Sequence, residues 1–275
     1  MDSLKYSVLM SVYYKEKPDY LRESILSMLH QSIIPDEIVI IQDGQLTDEL
    51  EKVLEEFKDN HIIKIILINE NVGLGKALNI GLSNCRNEMI ARMDTDDIAD
   101  KERCEKQLNL FIKDKNLSVV GTAIEEFIDD PDSPISYKRV KTENDEIRKQ
   151  IKYRNPIAHP SVMFKKNDVI TAGNYKPWHF NEDYYLWLRM VQHGFTFKNI
   201  NEPLVKMRVN NETYLRRGGW NYFINQRGLF GYMLKNNLIN EFEYLFNNII
   251  SFGTRVLMTN NMRKFVYLRI LRSKQ

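Results

Sequence analysis

The stretch ARMDTDDIAD, residues 91–100, decides how this sequence is interpreted. Four carboxylates fall within seven positions of it, at Asp94, Asp96, Asp97 and Asp100. They directly follow a short apolar run, 89–91, and only Arg92 and Met93 separate the first aspartate from that run. Like charges this close repel one another unless a positive group lies among them. The rest of the sequence must therefore indicate what balances these carboxylates.

The size and composition limit the class of protein. The chain has 275 residues, 43% of them hydrophobic, enough for one large domain or a domain with an appendage. A net charge of +2 gives no indication of a nucleic-acid partner. Cys85 and Cys104 lack metal-ligand spacing, which predicts reduced thiols. No signal-peptide pattern opens the chain, and no apolar run approaches the roughly 18 residues of a membrane span. We therefore expect a cytoplasmic protein.

The first hundred residues alternate between strand and helix patterns. Short apolar, β-branched runs predict strands at 5–12, 37–44, 61–69 and 88–94. Helical spacing between them predicts helices at 19–31, 47–58 and 73–85. This alternation predicts an α/β fold, a mostly parallel sheet flanked by helices. The less regular second half predicts further strands at 118–124, 160–166 and 195–200, with helices at 101–113, 143–153 and 181–194. We expect one domain over 1–210 and a C-terminal helical extension over 211–275.

Three common nucleotide or metal motifs are excluded by their missing residues. The segment after the first strand, SVYYKE, has no glycine, so it is not the G-x-G-x-x-G turn of a dinucleotide fold. The segment NVGLGKALNIG lacks the glycine and hydroxyl residues that a P-loop requires. The acidic stretch has Ile98 and Ala99 where a calcium loop needs an acid or amide and a glycine.

A divalent metal explains the first acids of the stretch. Asp94 and Asp96 are two positions apart at the end of a strand, so an extended chain points both carboxylates to one side. Such hard oxygen donors suit Mg²⁺ or Mn²⁺, which commonly share substrate phosphates. The alternative is helix capping by Asp97 or Asp100 near residue 101. Capping accounts for Asp100 but leaves Asp94, at the end of a buried strand, unexplained.

Six segments in order make the sequence resemble family 2 of the glycosyltransferases, inverting enzymes with the GT-A fold that use nucleotide-diphosphate sugars. The segments are SVLMSVYYKE (7–16), DEIVIIQDG (36–44), NENVGLGKALNIGL (69–82), ARMDTDDI (91–98), HPSVMF (159–164) and NEDYYLWLRM (181–190). They cover about residues 5–210. The sequences of these segments are similar to those of the family branch that builds bacterial capsule, exopolysaccharide and O-antigen units. The resemblance implies a Rossmann-like GT-A domain and a Mn²⁺ or Mg²⁺ cofactor.

The resemblance assigns the donor site to strand ends and one helix start. The loop after the first strand would line the nucleobase pocket, which implicates Val12, Tyr13 and Glu16. Asp43 would contact uracil, although it follows Gln42 where the family often has a second acid, and it could instead form the turn before Gly44. The start of the third helix would face the diphosphate, because a helix N-terminus and a lysine favour negative charge. That assignment names Gly73, Lys76 and Asn79; Lys76 could equally be a solvated lysine.

The resemblance also divides the acidic residues by role. Asp94 would face the ribose or sugar, Asp96 would bind the metal, and Asp97 would support them. Asp183, in the pair Glu182-Asp183, would be the base that deprotonates the acceptor hydroxyl. Its ordinary pKa of about 3.9 keeps it ionised at neutral pH. The alternative for both acids is a favourable interaction with the helix dipole.

Two further residues precede the base. His159 would approach the diphosphate or the acceptor, and a hydrogen-bonded structural histidine is the alternative. Trp178 lies in the aromatic segment YKPWHFNED (175–183) and would stack on the acceptor sugar, unless it packs in the core. Trp187 and Trp220 are expected to be packing residues.

The C-terminal segment is basic as well as apolar. After Glu243 the sequence has no acid and six bases, at Arg255, Arg263, Lys264, Arg269, Arg272 and Lys274. This composition favours peripheral contact with an anionic membrane, which agrees with an acceptor carried on a polyprenyl diphosphate. A helical cap over the sheet and a dimer interface are the alternatives.

Two other functions remain open at this stage. A sugar-phosphate nucleotidyltransferase has a related sheet and acidic metal site, but it normally has a glycine-rich basic loop where this chain has SVYYKE. A nucleotide-sugar-binding scaffold without activity is the other, and the presence of Asp94, Asp96 and Asp183 argues against it.

Overall fold

The computed structural model describes residues 5–178, 180–210, 218–259 and 262 of the chain. The strands are β1 (Tyr6–Val12), β2 (Glu37–Asp43), β3 (Ile63–Ile68), β4 (Met89–Arg92), β5 (Ile98–Ala99), β6 (Leu117–Phe127), β7 (Ser136–Lys138), β8 (Met163–Lys165) and β9 (Thr196–Arg208). The helices are α1 (Pro18–Leu29), α2 (Asp48–Glu56), α3 (Leu74–Asn84), α4 (Arg103–Lys113), α5 (Asn144–Gln150), α6 (Lys166–Thr171), α7 (Glu182–Gln192), α8 (Trp220–Lys235) and α9 (Glu241–Phe252). The predicted strands and helices occur in the predicted order over the described residues, and the structure adds three short elements that were not predicted: β5, β7 and α6.

These strands form one sheet in the order β3-β2-β1-β4-β8-β6-β9-β5, with β7 beside β6. The pairs among β1 to β4 are parallel, which confirms the prediction for the first half of the chain. Beyond β4 the sheet becomes mixed, because β8 pairs antiparallel with both β4 and β6. The strand β9 is much longer than predicted, since it runs parallel to β6 over most of that strand's length. The α/β fold with flanking helices is therefore confirmed, with a mixed sheet.

Alternating side chains of the strands fill two cores, one on each face of the sheet. In β1, Leu9 belongs to the core under α3 and α7, and Val8 and Met10 belong to the core under α1, α2 and α4. Burial on both faces explains why the early strands are continuous apolar runs. The parallel strands β1, β2 and β4 therefore end at one edge of a rigid sheet, where Asp43 and Asp94 lie.

The helix α3 lies unusually close to the sheet because of Gly81. A Cβ atom added at Gly81 would come within 2.3 Å of Leu9 Cδ1 and 2.9 Å of Ile41 Cγ1. A side chain at this position would require Leu9 and Ile41, or the helix itself, to shift in a close-packed core. Gly81 thus fixes the position of α3, whose first turn faces the strand ends.

The helices α8 and α9 close the described part of the chain. Leu229, Phe230 and Met233 of α8 are buried in the same core as Leu9, so this helix is part of the main fold. The boundary at 210 stays a prediction. Asn240 begins α9 with a reciprocal capping box to Glu243. Of the six predicted basic residues, Arg255 is described; the others lie outside the described residues. Within the described part of the chain, no helix is long and apolar enough to cross a bilayer.

Candidate active site

The positive group among the acids comes from the strand itself. The guanidinium of Arg92, which is buried, donates a 2.6 Å hydrogen bond to Asp94 Oδ2 and a second hydrogen bond to Asp94 Oδ1. This bidentate pair of hydrogen bonds holds the Asp94 carboxylate in one orientation. Arg103, also buried, donates to the carbonyl of Arg92 and fixes the end of β4. Part of the repulsion is therefore relieved within the chain.

The next two aspartates, Asp96 and Asp97, lie close to other carboxylates and are repelled by them. Ligand atoms of Asp94, Asp96 and Asp97 all lie within 4.8 Å of one another. Burial and the neighbouring Asp94 and Glu16 raise the pKa of Asp96 to about 7. Burial and the neighbouring carboxylates also raise the pKa of Asp97 well above its ordinary value. Asp97 Oδ1 accepts the backbone N–H of Arg208 at 2.8 Å, but its buried Oδ2 has no hydrogen-bond partner.

This donor set fits a divalent cation. Three carboxylates supply hard oxygen atoms, one of them buried and unpartnered. A cation would relieve the repulsion that, together with burial, raises the pKa values of Asp96 and Asp97. Asp96 remains the predicted metal ligand. Asp97 is close enough to join it rather than only to support it. The expected cap, Asp100, accepts the N–H of Glu102 at 2.8 Å in the turn before α4. The N-cap position itself is Glu102, which makes no side-chain cap hydrogen bond, so Asp100 supports the turn and does not cap the helix.

The loop after β1 contacts the acidic stretch. Glu16 Oε2 accepts a hydrogen bond from the Thr95 hydroxyl at 3.0 Å, and burial raises the pKa of Glu16. Val12 is fully buried at the end of β1. Tyr13 is 39% exposed and contacts Tyr14 edge-on, with ring centroids 5.7 Å apart. An exposed aromatic ring at this edge is available to a base, so the role predicted for Tyr13 stays a prediction.

The carboxylate of Asp43 is engaged by the loop that begins α3. Its two oxygens accept the N–H groups of Val72, at 2.7 Å, and Gly73, at 3.1 Å. Gly73 has a φ of +83°, a conformation that favours glycine. Asp43 thus organises the loop, and contact with uracil would use its remaining lone pairs. Lys76 is exposed, and no ion pair involving it occurs among the described residues.

Asn79 has a positioning role instead of a free side chain. Its amide donates to the carbonyl of Tyr175 at 2.8 Å, and its carbonyl accepts the Tyr175 N–H at 2.9 Å. The Tyr175 hydroxyl lies 2.9 Å from His159 Nε2. Burial and the nearby Arg92 hold the pKa of His159 well below its usual range, so this imidazole is neutral. The amide of Asn79 thus holds Tyr175 in place, and its donor-binding role stays a prediction.

Asp183 lies in the first turn of α7, where its carboxylate favours the helix dipole. Its Oδ2 accepts a 2.6 Å hydrogen bond from the amide of Asn155. Burial raises its pKa, and the hydrogen bonds from Asn155 and the Tyr184 N–H partly offset that rise. A carboxylate with a raised pKa is a better proton acceptor than an ordinary aspartate.

Two neighbouring cavities meet at Asp183. The first, the Asp94 cavity, has a volume of about 230 Å³ and is lined by Asp94, Arg92, Glu182 and Asp183 among others. The second, the basic cavity, has a volume of about 260 Å³ and contains four cationic side chains. They are Lys138, Arg139, Arg154 and Arg255. His159, Phe180 and Asp183 line both cavities. Asp183 therefore borders both cavities.

The aromatic residue at this junction is Phe180 rather than Trp178. Trp178 packs against Tyr185, with centroids 4.7 Å apart, and its indole N–H donates to the Asn225 carbonyl of α8 at 3.0 Å. Trp178 is therefore a packing residue, because its ring lies against α7 and α8. Phe180 is 47% exposed, with a φ of +64°, and its ring stacks on Tyr222 at 6.3 Å. Trp187 is buried as expected, whereas Trp220 packs on Phe252 but is 57% exposed.

Sequence reasoning missed Arg92, Asn155 and Phe180. A signal existed for Arg92: an arginine inside an apolar strand must be paired if it is buried. Asn155 and Phe180 lie outside helices and strands, so no periodicity marked them.

Comparison with known proteins agrees with this geometry. Residues 7–170 match the family model described as glycosyl transferase family 2. The chain belongs to this family. It is 35% identical over 271 residues to an Escherichia coli UDP-Gal:alpha-D-GlcNAc-diphosphoundecaprenol beta-1,3-galactosyltransferase, covering 98% of both chains. It is 38% identical to the amylovoran biosynthesis glycosyltransferase AmsE of Erwinia amylovora, covering 79% of this chain and 81% of that protein.

This family 2 glycosyltransferase also shares its fold with a solved structure. The S. aureus TarS fragment 1–349 in complex with UDP-GlcNAc superposes with a TM-score of 0.67 at 16% identity, over 97% of this chain and 76% of that one. The chain spans 46% of the longer TarS structure. At this identity the likeness establishes the GT-A fold of the glycosyltransferase.

Proposed function

We propose that this glycosyltransferase inverts the anomeric centre of a UDP-sugar in a metal-dependent transfer to a lipid-linked saccharide, during synthesis of a bacterial surface polysaccharide. One observation carries the proposal: Asp94, after β4, and Asp183, in α7, line the same cavity although they are far apart in the sequence. The predicted sugar-binding carboxylate and the predicted base thus reach one space. A single displacement needs this arrangement, because the base must stand beside the anomeric carbon.

Asp183 is the base in this proposal. As the acceptor oxygen forms its bond to the anomeric carbon, its proton passes to Asp183 and the bond to the diphosphate oxygen breaks. The Asn155 amide, 2.6 Å from Oδ2, holds the carboxylate in place, and burial strengthens it as a base. Attack from the side opposite the leaving group inverts the centre. His159 is neutral and contacts Tyr175, so it shapes the cavity without adding charge.

Asp96 would hold the metal, with Asp94 and Asp97 close enough to contribute further oxygen atoms. A bound Mn²⁺ or Mg²⁺ would supply Lewis-acid stabilisation to the leaving diphosphate. Arg92 keeps the Asp94 carboxylate pointing into the Asp94 cavity. Tyr13 after β1, Asp43 at the end of β2 and Lys76 in the first turn of α3 lie at the same sheet edge and bind the nucleotide. The uridine assignment is supported by TarS, whose structure holds UDP-GlcNAc.

The lipid-linked acceptor is supported by the Escherichia coli relative, whose name specifies a diphosphoundecaprenol acceptor. The surface of α9 agrees with a membrane location. Five of its large apolar side chains are between 47% and 76% exposed: Phe242, Leu245, Phe246, Ile249 and Ile250. We assign this face and the basic residues after it to peripheral contact with an anionic membrane on the cytoplasmic side. Equal sedimentation with and without anionic vesicles would contradict this assignment.

A thermal-shift panel tests the donor and the metal together. UDP, GDP, dTDP and CDP are each added with and without Mn²⁺ to the wild type and to Asp96→Ala, since a ligand that binds the folded state raises Tm. We expect UDP to stabilise the wild type with Mn²⁺ and the variant to lose the shift. A stabilisation by CDP or GDP alone would replace the uridine assignment. No shift with any nucleotide would contradict the proposed donor site. Binding of a nucleotide without any sugar transfer would favour the scaffold, and release of diphosphate from a nucleoside triphosphate in a separate assay would favour a nucleotidyltransferase.

A further inference from the structure

The basic cavity has an electrostatic character opposite to that of its neighbour. Four cations line it, and Asp183 is the one acidic side chain among its described lining residues. Among its described lining residues, the Asp94 cavity has three carboxylates and one cation, Arg92. Both cavities share Asp183, so the polarity reverses across the catalytic carboxylate. A cavity with this excess of positive charge favours an anionic ligand.

The four cations come from three separate parts of the fold. Lys138 ends β7 and Arg139 follows it; Arg154 follows α5; Arg255 lies in the turn after α9. Lys138 is close enough to lower the pKa of Asp183. The Arg255 guanidinium lies 5.0 Å from the Tyr222 ring centroid and 3.4 Å from the Gln226 side-chain oxygen. Tertiary structure thus gathers cations that the sequence keeps far apart.

The position of the cavity identifies which substrate carries the anion. The donor diphosphate belongs beside Asp94, Asp96 and Asp97, on the other side of Asp183. The basic cavity therefore belongs to the substrate that gives its proton to Asp183. A volume of about 260 Å³ suits a sugar and its phosphate groups rather than a long lipid. Phe180 and Tyr222 supply apolar surface for the sugar ring.

We infer that the basic cavity is a diphosphate-recognition site, which binds the acceptor through the diphosphate that joins its first sugar to the lipid. The inference rests on the proposed function, which places the acceptor on this side of Asp183. Arginine is suited to phosphate oxygens because its planar guanidinium offers paired donors. The site would hold the acceptor's headgroup while the lipid leaves across the exposed apolar side chains of α8 and α9, which include Trp220, Ile224 and Ile249.

Equilibrium binding without donor and in EDTA tests this site apart from the metal and from catalysis. The probes are a short-chain alkyl N-acetylglucosaminyl diphosphate, the uncharged alkyl glycoside of the same sugar, and inorganic pyrophosphate. We expect the full-length wild type to bind the sugar diphosphate at least about tenfold more tightly than the glycoside. Arg154→Ala and Arg139→Ala, both at exposed positions, should each lose most of that preference. Lys149→Ala is the control, because Lys149 is an exposed cation on neighbouring α5 that does not line the cavity.

Three results would overturn the inference. They are equal wild-type affinity for the two sugar probes, an unchanged preference in both arginine variants, and pyrophosphate binding as tight as that of the sugar diphosphate. The last would show a site for a free anion. Since these measurements need no turnover, absence of sugar transfer in a separate assay would count against the proposed function alone.

Discussion

The guanidinium of Arg92 binds both oxygens of the Asp94 carboxylate from within the same strand end. The arginine is 1% exposed, while the aspartate faces the cavity that it shares with Asp183. A buried cation therefore orients an accessible anion. This pair answers part of the question that four clustered aspartates raise, and it leaves Asp96 and Asp97 for the metal.

Arg92→Lys should weaken donor binding by about tenfold, because a lysine keeps the charge but cannot grip both carboxylate oxygens. We also expect the free energy of unfolding to fall by about 2 kcal/mol, because a buried ammonium would be left imperfectly paired. Isothermal titration with UDP and Mn²⁺ and urea unfolding measure the two effects. Arg22→Lys is the matched control: Arg22 pairs with Glu56 on the surface, where such a change is worth at most about 0.5 kcal/mol. An unchanged affinity of Arg92→Lys for UDP and Mn²⁺ would show that Arg92 does not orient Asp94 for donor binding.

Asp183→Asn should reduce kcat by at least about 100-fold and leave UDP binding nearly intact, because an amide cannot accept the proton. The wild-type pH profile should report the same group. Burial raises the pKa of Asp183, and the base works only when ionised. Activity should therefore fall as the pH drops through a pKa above the ordinary value of about 3.9. Steady-state rates across pH measure this, and an active Asn variant would refute the assignment.

Mn²⁺ affinity should decrease as the pH falls below 7. The pKa of Asp96 in the metal-free protein is about 7, so protons compete with the metal for this carboxylate at lower pH. With UDP held constant, the apparent affinity should fall by about tenfold per pH unit once the carboxylate is protonated. Titration of Mn²⁺ followed by its paramagnetic resonance signal measures this. An affinity independent of pH between 5 and 8 would show that Asp96 does not bind the metal.

Gly81→Ala should destabilise the fold by about 1–3 kcal/mol, because the new Cβ would overlap Leu9 and Ile41. Gly231→Ala is the matched control in α8, where, apart from the helix's own backbone, no atom of the described residues lies within 4 Å of an added Cβ. That variant should gain about 0.5–1 kcal/mol by reducing the freedom of the unfolded chain. Chemical denaturation compares the two. Equal stabilities would mean that α3 can move away from the sheet.

The sequence alone determined the order of elements and the location of the acidic site. Apolar runs and helical spacing over residues 5–94 predicted the parallel part of the sheet, because burial on both faces leaves a local, periodic record. The site formed by the aspartates after β4 was also predictable, because residues two apart at a strand end face the same side.

Only the tertiary structure decided which side chains are free to act. Asn79 and Trp178 have suitable chemistry, but backbone groups of Tyr175 and Asn225 take up their polar atoms. Conversely, the structure brings Asn155 to Asp183 and gathers Arg139, Arg154 and Arg255 around one cavity. Hydrogen bonds between residues far apart in the chain leave no periodic trace in the sequence. The sequence therefore shows which chemistry is present, and the fold decides where it is used.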